Sequence, residues 1–226
     1  MIIVTGASSG IGKQVALAAS RRKKDLILVS RRDPEVPGAQ WLSADFNSCD
    51  EINSLCGQIV SKAKRISMLV HCAGVMRSCS SKSIDASLCL ESYMVNVIAP
   101  LVITSRLTKL LARGNAKVIA ISSIASMLDI PGEAIYSSTK SALDQGINTL
   151  AADLSKLGIS FLKIHPCMID TPMTCGLSDD QKNYMHLQRS SKVQPSAEDL
   201  AEYVMTLHDS SDFMSGSDIL FGGIKR

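Results

Sequence analysis

The stretch Thr5-Gly6-Ala7-Ser8-Ser9-Gly10-Ile11-Gly12 decides the fold, because it follows a short apolar run and precedes a segment with Val15, Ala16 and Ala19 at helical spacing. A glycine turn between a strand and a helix lets the backbone approach a pyrophosphate closely, and the exposed amides of the helix attract its charge. The context of strand, turn and helix predicts a dinucleotide site, which three glycines alone would not. The residues predicted to bind the cofactor here are Gly6, Ser8, Ser9, Gly10, Ile11 and Gly12.

The rest of the chain alternates short β-rich runs with segments of helix length, which is typical of parallel strands joined by crossover helices. These runs lie at 2–5, 26–30, 41–44, 68–72, 118–122, 160–165 and 219–221. Most of them are apolar throughout, as expected when helices cover both faces of a sheet. The pattern predicts an α/β fold with a three-layer, doubly wound parallel sheet of Rossmann type, formed by one domain over residues 1–226.

Composition excludes several other classes of protein. The 226 residues are 46% hydrophobic with a net charge of +3, and no uninterrupted apolar run reaches the ~18 residues of a membrane span. The positive charge is spread along the chain, so no nucleic-acid-binding stripe is predicted. Seven cysteines without a Cys-x-x-Cys pair or clustered histidines favour a reducing compartment and no metal site. We therefore expect a cytoplasmic protein without a membrane or nucleic-acid partner.

The order Thr-Gly-x-x-x-Gly-x-Gly at 5–12 resembles the signature of the short-chain dehydrogenase/reductase family, and the resemblance extends to Gly223. It implies an enzyme that moves a hydride between NAD(P)(H) and a small carbonyl or alcohol substrate. The further cofactor contacts that the resemblance implies are Asp45, Phe46, Cys72, Ala73, Gly74, Pro166, Ile169 and Thr171. The chain departs from the family in having His71-Cys72 for Asn-Asn and Cys167 for a glycine. His71 and His165 are interpreted as structural histidines.

The residues after the second predicted strand favour NADP over NAD. An acidic residue at this strand end would bind the ribose 2′-hydroxyl of NAD, whereas the chain has Ser30, Arg31 and Arg32. A guanidinium binds a 2′-phosphate through two hydrogen bonds, and serine removes the repulsion of a carboxylate. NAD stays possible, because these arginines are also ordinary loop charges and Asp33 follows them.

Tyr136 and Lys140 stand four residues apart, hence one above the other on a helix. Leu143, Ile147 and Leu150 continue the same stripe, so both polar side chains extend an inward face. A nearby ammonium is expected to lower the pKa of the phenol, which then serves as proton donor or acceptor. Ser123 precedes Tyr136 by 13 residues, the separation that the family has between its active-site serine and tyrosine.

Asn96 lies in a long predicted helix, about 85–112, with Pro100 four residues later. Proline has no N–H for the carbonyl four residues back, which leaves the Asn96 backbone oxygen free to hold a water. In the similar family the matching asparagine holds a water that relays protons to the lysine. A simple bend in the helix is the alternative interpretation.

Two further surfaces carry predictions. The segment 172–195 follows a strand end and contains methionine and leucine, which predicts a substrate lid and a mainly apolar substrate. The helix 85–112 is apolar nearly all round, which predicts a homodimer or homotetramer.

The main alternative function is a non-catalytic dinucleotide-binding regulatory protein. A second is an isomerase or dehydratase of the related extended group.

Overall fold

The computed structural model describes residues 1–210 and 215–225. The other five residues of the predicted domain 1–226 lie outside the described part of the chain. Within these ranges, seven strands form one parallel sheet in the order β3-β2-β1-β4-β5-β6-β7. They are β1 Ile2–Thr5, β2 Leu26–Val29, β3 Gln40–Leu42, β4 Met68–His71, β5 Lys117–Ile121, β6 Ser160–Pro166 and β7 Ser217–Phe221. The predicted doubly wound sheet is confirmed; the first predicted strand coincides with β1, and the others differ from the observed strands by one or two residues at an end.

In the described part of the chain, seven α-helices connect the strands and cover both faces of the sheet. They are α1 Gly10–Arg21, α2 Cys49–Lys62, α3 Ala86–Tyr93, α4 Ala99–Arg113, α5 Ala134–Leu154, α6 Asp179–Gln188 and α7 Ala197–Asp209. One core cluster packs α2, α4 and α5 against one face, and a second packs α1 and α7 against the other. Alternate residues of the buried strands point to opposite faces of the sheet: Ile3 packs in the first cluster and Val4 in the second. Helices on both faces and the sheet between them form the three layers.

The segment from α3 to α4 is continuous but changes its winding. Met94–Ile98 form a π-helical turn in which the Ala99 N–H bonds to the Met94 oxygen. Such turns occur where a helix loses its regular hydrogen bonds, and Pro100 removes one donor just beyond it. The predicted irregularity at Asn96 is therefore present as a widened turn inside the helix, between α3 and α4.

This same segment, Ala86–Arg113, is long and apolar enough by length and composition to cross a membrane. That is weak evidence, since the core helix of a soluble protein passes the same test. Its inward residues Ile103, Leu107 and Leu111 are fully buried in the core cluster on the sheet. The segment therefore belongs to the core of the fold, and its charged residues Glu91, Arg106 and Lys109 interrupt the apolar sequence.

Candidate active site

The glycine turn links the end of β1 to the start of α1 at the carboxyl edge of the sheet. Gly6 and Gly10 have φ values of +69° and +52°, a region that side chains with a Cβ rarely adopt. A Cβ built on Gly12 would lie 2.3 Å from the Gly6 carbonyl oxygen. The Ser9 side chain makes no capping bond at the start of α1. These features fit a phosphate-binding turn, because backbone and amides stay open to an anion.

A cavity beside this turn, here called the glycine-turn cavity, runs along the ends of β1, β2 and β4. The predicted cofactor residues that line it are Gly6, Ser8, Ser9, Gly10, Ile11, Gly12, Ser30, Arg31, Asp45, Phe46, Cys72, Ala73, Gly74 and Thr171. Arg32 is exposed and lies outside this set, although its carbonyl accepts a 2.7 Å hydrogen bond from the Ser30 hydroxyl. Arg31 therefore lines the cavity and Arg32 does not, although both were predicted to bind the cofactor.

Charged side chains of both signs lie near Arg31, outside the residues that line the glycine-turn cavity. Arg77 hydrogen-bonds Glu91 with its Nε at 2.9 Å and its Nη2 at 2.6 Å. This contact is the main cause that lowers the pKa of the Glu91 carboxyl, and the Arg31 guanidinium lowers it further. Arg31 thus lies close enough to interact with an anion bound at the end of β2.

A second cavity, here called the tyrosine cavity, opens from the first beyond Gly74. It is lined by the predicted site residues Ser123, Tyr136, Lys140, Pro166 and Ile169. The two cavities share Ile11, Cys72, Gly74, Thr171 and Met173. A dinucleotide held at the glycine turn would therefore extend its other end toward the phenol of Tyr136.

Tyr136 and Lys140 both point inward from α5, as their spacing predicts. Their exposed fractions are 8% and 4%, and the Lys140 Nζ lies 5.6 Å from the centre of the Tyr136 ring. That Nζ also donates a 2.8 Å hydrogen bond to the Ile121 carbonyl at the end of β5. Lys140 is thus anchored to the end of β5, two residues before Ser123.

The protonation of this pair corrects one prediction. Burial raises the pKa of Tyr136 to about 12, outweighing a side-chain hydrogen bond with Ser123 that lowers it. Burial also lowers the pKa of Lys140 to about 8, while the Asp144 carboxylate acts against that shift. The expectation that Lys140 would lower the phenol pKa was wrong in direction, because desolvation dominates in this apolar pocket. The phenol is therefore protonated at neutral pH.

Asn96 is fully buried in the π-helical turn, and its side chain clamps two other segments. Its Nδ2 donates 2.9 Å hydrogen bonds to the Val75 carbonyl and to the Thr139 hydroxyl. Its Oδ1 accepts a 2.8 Å bond from the Val75 N–H. Asn96 thus joins the loop after β4 to the residue before Lys140. The spacing to Pro100 predicted a role for the Asn96 backbone oxygen. The side-chain hydrogen bonds could not be predicted in this way, because they join segments that are 21 and 43 residues apart.

The predicted lid contains α6, which begins with a capping box formed by Ser178 and Gln181. Met173 and Met185 from this segment line the tyrosine cavity, together with Met76 and Met168 from elsewhere in the chain. The Tyr184 hydroxyl donates to the Asp129 carbonyl at 3.3 Å. Four methionines around one cavity were not expected as a group, because they come from the loop after β4, from the connection after β6 and from α6.

Comparison with known proteins gives the family. The sequence model of the short chain dehydrogenase family matches residues 1–182. An uncharacterized oxidoreductase of Staphylococcus haemolyticus is 30% identical over 76% of this chain and 79% of its own length. A 3-oxoacyl-[acyl-carrier-protein] reductase of Synechocystis sp. is 28% identical over 78% of this chain and 76% of its own.

Two solved structures share the fold at lower sequence identity. A putative NAD(P)-dependent gluconate 5-dehydrogenase of Beutenbergia cavernae, with bound NADP, has a TM-score of 0.90 at 21% identity, covering 98% of this chain and 95% of its own. A 4-hydroxyisoleucine dehydrogenase complexed with NADH has a TM-score of 0.88 at 19% identity, covering 98% and 97%. Together with the glycine turn and the two cavities, the family match shows that this chain belongs to the short-chain dehydrogenases, a family of NAD(P)-dependent oxidoreductases.

Proposed function

We propose that the chain interconverts a carbonyl and an alcohol with NADP(H), using Tyr136 as the general acid and base. The observation that carries this proposal is that Ser123, Tyr136 and Lys140 line one cavity continuous with the glycine-turn cavity. The bound nicotinamide would supply or accept the hydride. The protein would supply the proton and hold the substrate oxygen.

Each polar group has a distinct task in this mechanism. The Ser123 hydroxyl binds the substrate oxygen and orients it toward the phenol. Tyr136, protonated at neutral pH because its pKa is about 12, donates its proton to the developing alkoxide. The Lys140 ammonium stabilises the phenolate that remains, and Asn96 holds the turn before Lys140 through Thr139. In the reverse direction, the phenolate takes the proton of the alcohol.

The decisive experiment is an NADPH-oxidation screen over ketones, aldehydes, quinones and pteridines, run with Tyr136→Phe. We expect the variant to lose roughly 10²- to 10⁴-fold in kcat, as is usual for removal of a general acid. Tyr203→Phe is the matched control, because that ring packs on Phe221 against the core cluster of α1 and α7 and lines neither cavity. Full turnover by Tyr136→Phe contradicts the assignment. Tight NADPH binding without turnover of any class favours the regulatory alternative.

NADP is the proposed cofactor because Ser30 and Arg31 line the glycine-turn cavity where β2 ends. A carboxylate at position 30 would repel a 2′-phosphate, whereas the small hydroxyl does not. The Arg31 guanidinium, which already interacts with the Glu91 carboxylate, supplies the charge that a phosphate needs. These two residues support NADP over NAD.

The substrate is proposed to be a small, mainly apolar carbonyl compound. Lys140 is the one charged side chain among the described residues that line the tyrosine cavity, and the mechanism already uses it. Met168, Leu177 and Met185 pack with Tyr136 in one apolar cluster. Burying a substrate carboxylate among them without a partner would be costly, whereas methionines adapt to apolar shapes.

A homodimer or homotetramer is proposed from the outer face of α4 and α5. Ile98, Leu101, Val102 and Leu150 line a shallow apolar groove there, and Ile98 is 38% exposed. Covering such a surface with a second copy would remove it from water. Light scattering should give a mass of two or four chains.

A cytoplasmic location is proposed because all seven cysteines are free thiols.

A further inference from the structure

A cluster of charged groups lies between α5 and the sheet, one helical turn beyond Lys140, and it is buried except for Asp218, whose side chain is 44% exposed. His165 on β6 is 0% exposed, and the side chains of Asp144 and Lys163 are 14% and 4% exposed. Asp218 on the edge strand β7 completes the cluster, and its Oδ1 lies 2.9 Å from the Lys163 Nζ. The proposed reaction uses none of these four side chains directly.

The His165 ring bridges the edge strand to the active-site serine. Its Nε2 lies 2.7 Å from Asp218 Oδ1, and its Nδ1 lies 3.3 Å from the Ser123 carbonyl oxygen. The Nδ1 lies 3.3 Å from the Ser126 hydroxyl oxygen as well, and that hydroxyl donates a 2.9 Å hydrogen bond to the same Ser123 carbonyl. The Nδ1 also lies 3.7 Å from Asp144 Oδ2. The histidine thus has a partner at both nitrogens, one of them the peptide of a predicted catalytic residue.

The Ser123 carbonyl is the anchor of the turn that presents the serine hydroxyl. It accepts bonds from the Ser126 N–H at 3.1 Å and from the Ser126 hydroxyl at 2.9 Å, and the His165 Nδ1 lies 3.3 Å from it. The Ser123 Oγ itself accepts a 3.1 Å bond from the Ala125 N–H. The direction of the hydroxyl therefore depends on how this peptide is held.

We propose that His165 is a positioning residue for the reaction, which holds the Ser123 peptide so that its hydroxyl meets the substrate oxygen. The proposal rests on the function proposed above. A displacement of a positioned group by about 1 Å costs about 10²-fold in rate. The effect of losing the Nδ1 contact is therefore expected in kcat, while the glycine-turn cavity and NADPH binding stay unchanged.

Two amide substitutions separate the contacts of the two ring nitrogens. In His165→Asn the amide nitrogen takes the place of Nδ1 and keeps the bond to Ser123, whereas in His165→Gln it takes the place of Nε2 and keeps the bond to Asp218. We expect kcat to fall about 10- to 100-fold in the Gln variant and to stay within about 3-fold in the Asn variant. KM and the NADPH Kd should be unchanged in both.

Lys163→Met is the matched control, because Lys163 contacts Asp218 but lies off the Ser123 peptide. It should lower the melting temperature, because it breaks a largely buried ion pair, and leave kcat per folded molecule within about 3-fold, because Lys163 makes no bond to the Ser123 peptide. If His165→Gln does not fold, Ser126→Ala removes another donor from the same carbonyl at a half-buried site. Ser126→Ala should lower kcat by about 3- to 10-fold, which is less than the roughly 10²-fold loss for a 1 Å displacement, because the Ser126 N–H still holds the carbonyl.

Equal kcat values in the Asn and Gln variants, or an unaltered kcat in Ser126→Ala when the Gln variant is unfolded, would overturn the positioning role. Both outcomes leave the proposed function intact if Tyr136→Phe still abolishes turnover. Absence of any wild-type turnover overturns both proposals together, because Ser123 would then have no substrate to orient.

Discussion

The glycine turn offers a prediction whose size follows from one distance. In Gly12→Ala, the new Cβ would lie 2.3 Å from the Gly6 oxygen, whereas ordinary contacts begin at 3.4 Å. The first turn of α1 must therefore move about 1 Å from Gly6, or the turn itself must open. Such overpacking costs about 1–3 kcal/mol of stability. The displaced amides should weaken NADPH binding by about 10²-fold.

The matched control is Gly57→Ala in α2. Gly57 is exposed, and a Cβ there meets nothing within 4 Å, so removing glycine from a helix should stabilise the protein by about 0.5–1 kcal/mol. Urea unfolding gives the free energy of each variant, and quenching of protein or nucleotide fluorescence gives the NADPH Kd. An NADPH Kd within about 3-fold of wild type in Gly12→Ala, without loss of stability, would refute the steric reasoning.

The remaining predictions concern cofactor choice, acid stability, the asparagine clamp and the substrate. Arg31→Ala should weaken NADPH by about 10- to 100-fold and NADH by less than about 3-fold, the usual worth of a charged hydrogen bond, and Arg32→Ala should change both less; equal losses for the two nucleotides would remove the argument for NADP. Burial lowers the pKa of His71 to about 3, so the unfolded chain binds one more proton between about pH 6.5 and 3, and stability should fall with acid by up to ~1.4 kcal/mol per pH unit. His71→Gln should remove that slope in urea titrations from pH 4 to 7, and an unchanged slope would contradict the assignment. Asn96→Ala should cost about 2–4 kcal/mol, because it leaves buried polar partners unpaired, and its kcat should fall, whereas an unaltered free energy of unfolding would show that the clamp contributes nothing. Among matched ketones, a neutral compound should exceed the analogue carrying a carboxylate by about 10²-fold in kcat/KM, and the reverse order would exclude the apolar substrate.

The fold could be predicted from the sequence, because each parallel strand and each connecting helix has a recognisable residue pattern within a short segment. Buried strands appear as apolar runs, and the turn at 5–12 combines strand, glycines and helix in one segment. The inward direction of Tyr136 and Lys140 also followed from sequence, since residues four apart share one face of a helix. The ends of strands such as β3 were less certain, because the sheet register rather than composition decides where pairing stops.

Tertiary structure decided the features that depend on distant segments meeting. The pKa of Tyr136 rises because apolar side chains from separate loops exclude water around it, which no helical spacing reveals. Arg31 and Arg32 are neighbours in sequence, yet one lines the glycine-turn cavity and the other does not. His165 and Ser123 are 42 residues apart, and only the pairing of β5 with β6 brings the ring to the serine peptide. Periodicity reports which face a residue occupies, whereas burial and contact depend on which other segment covers that face.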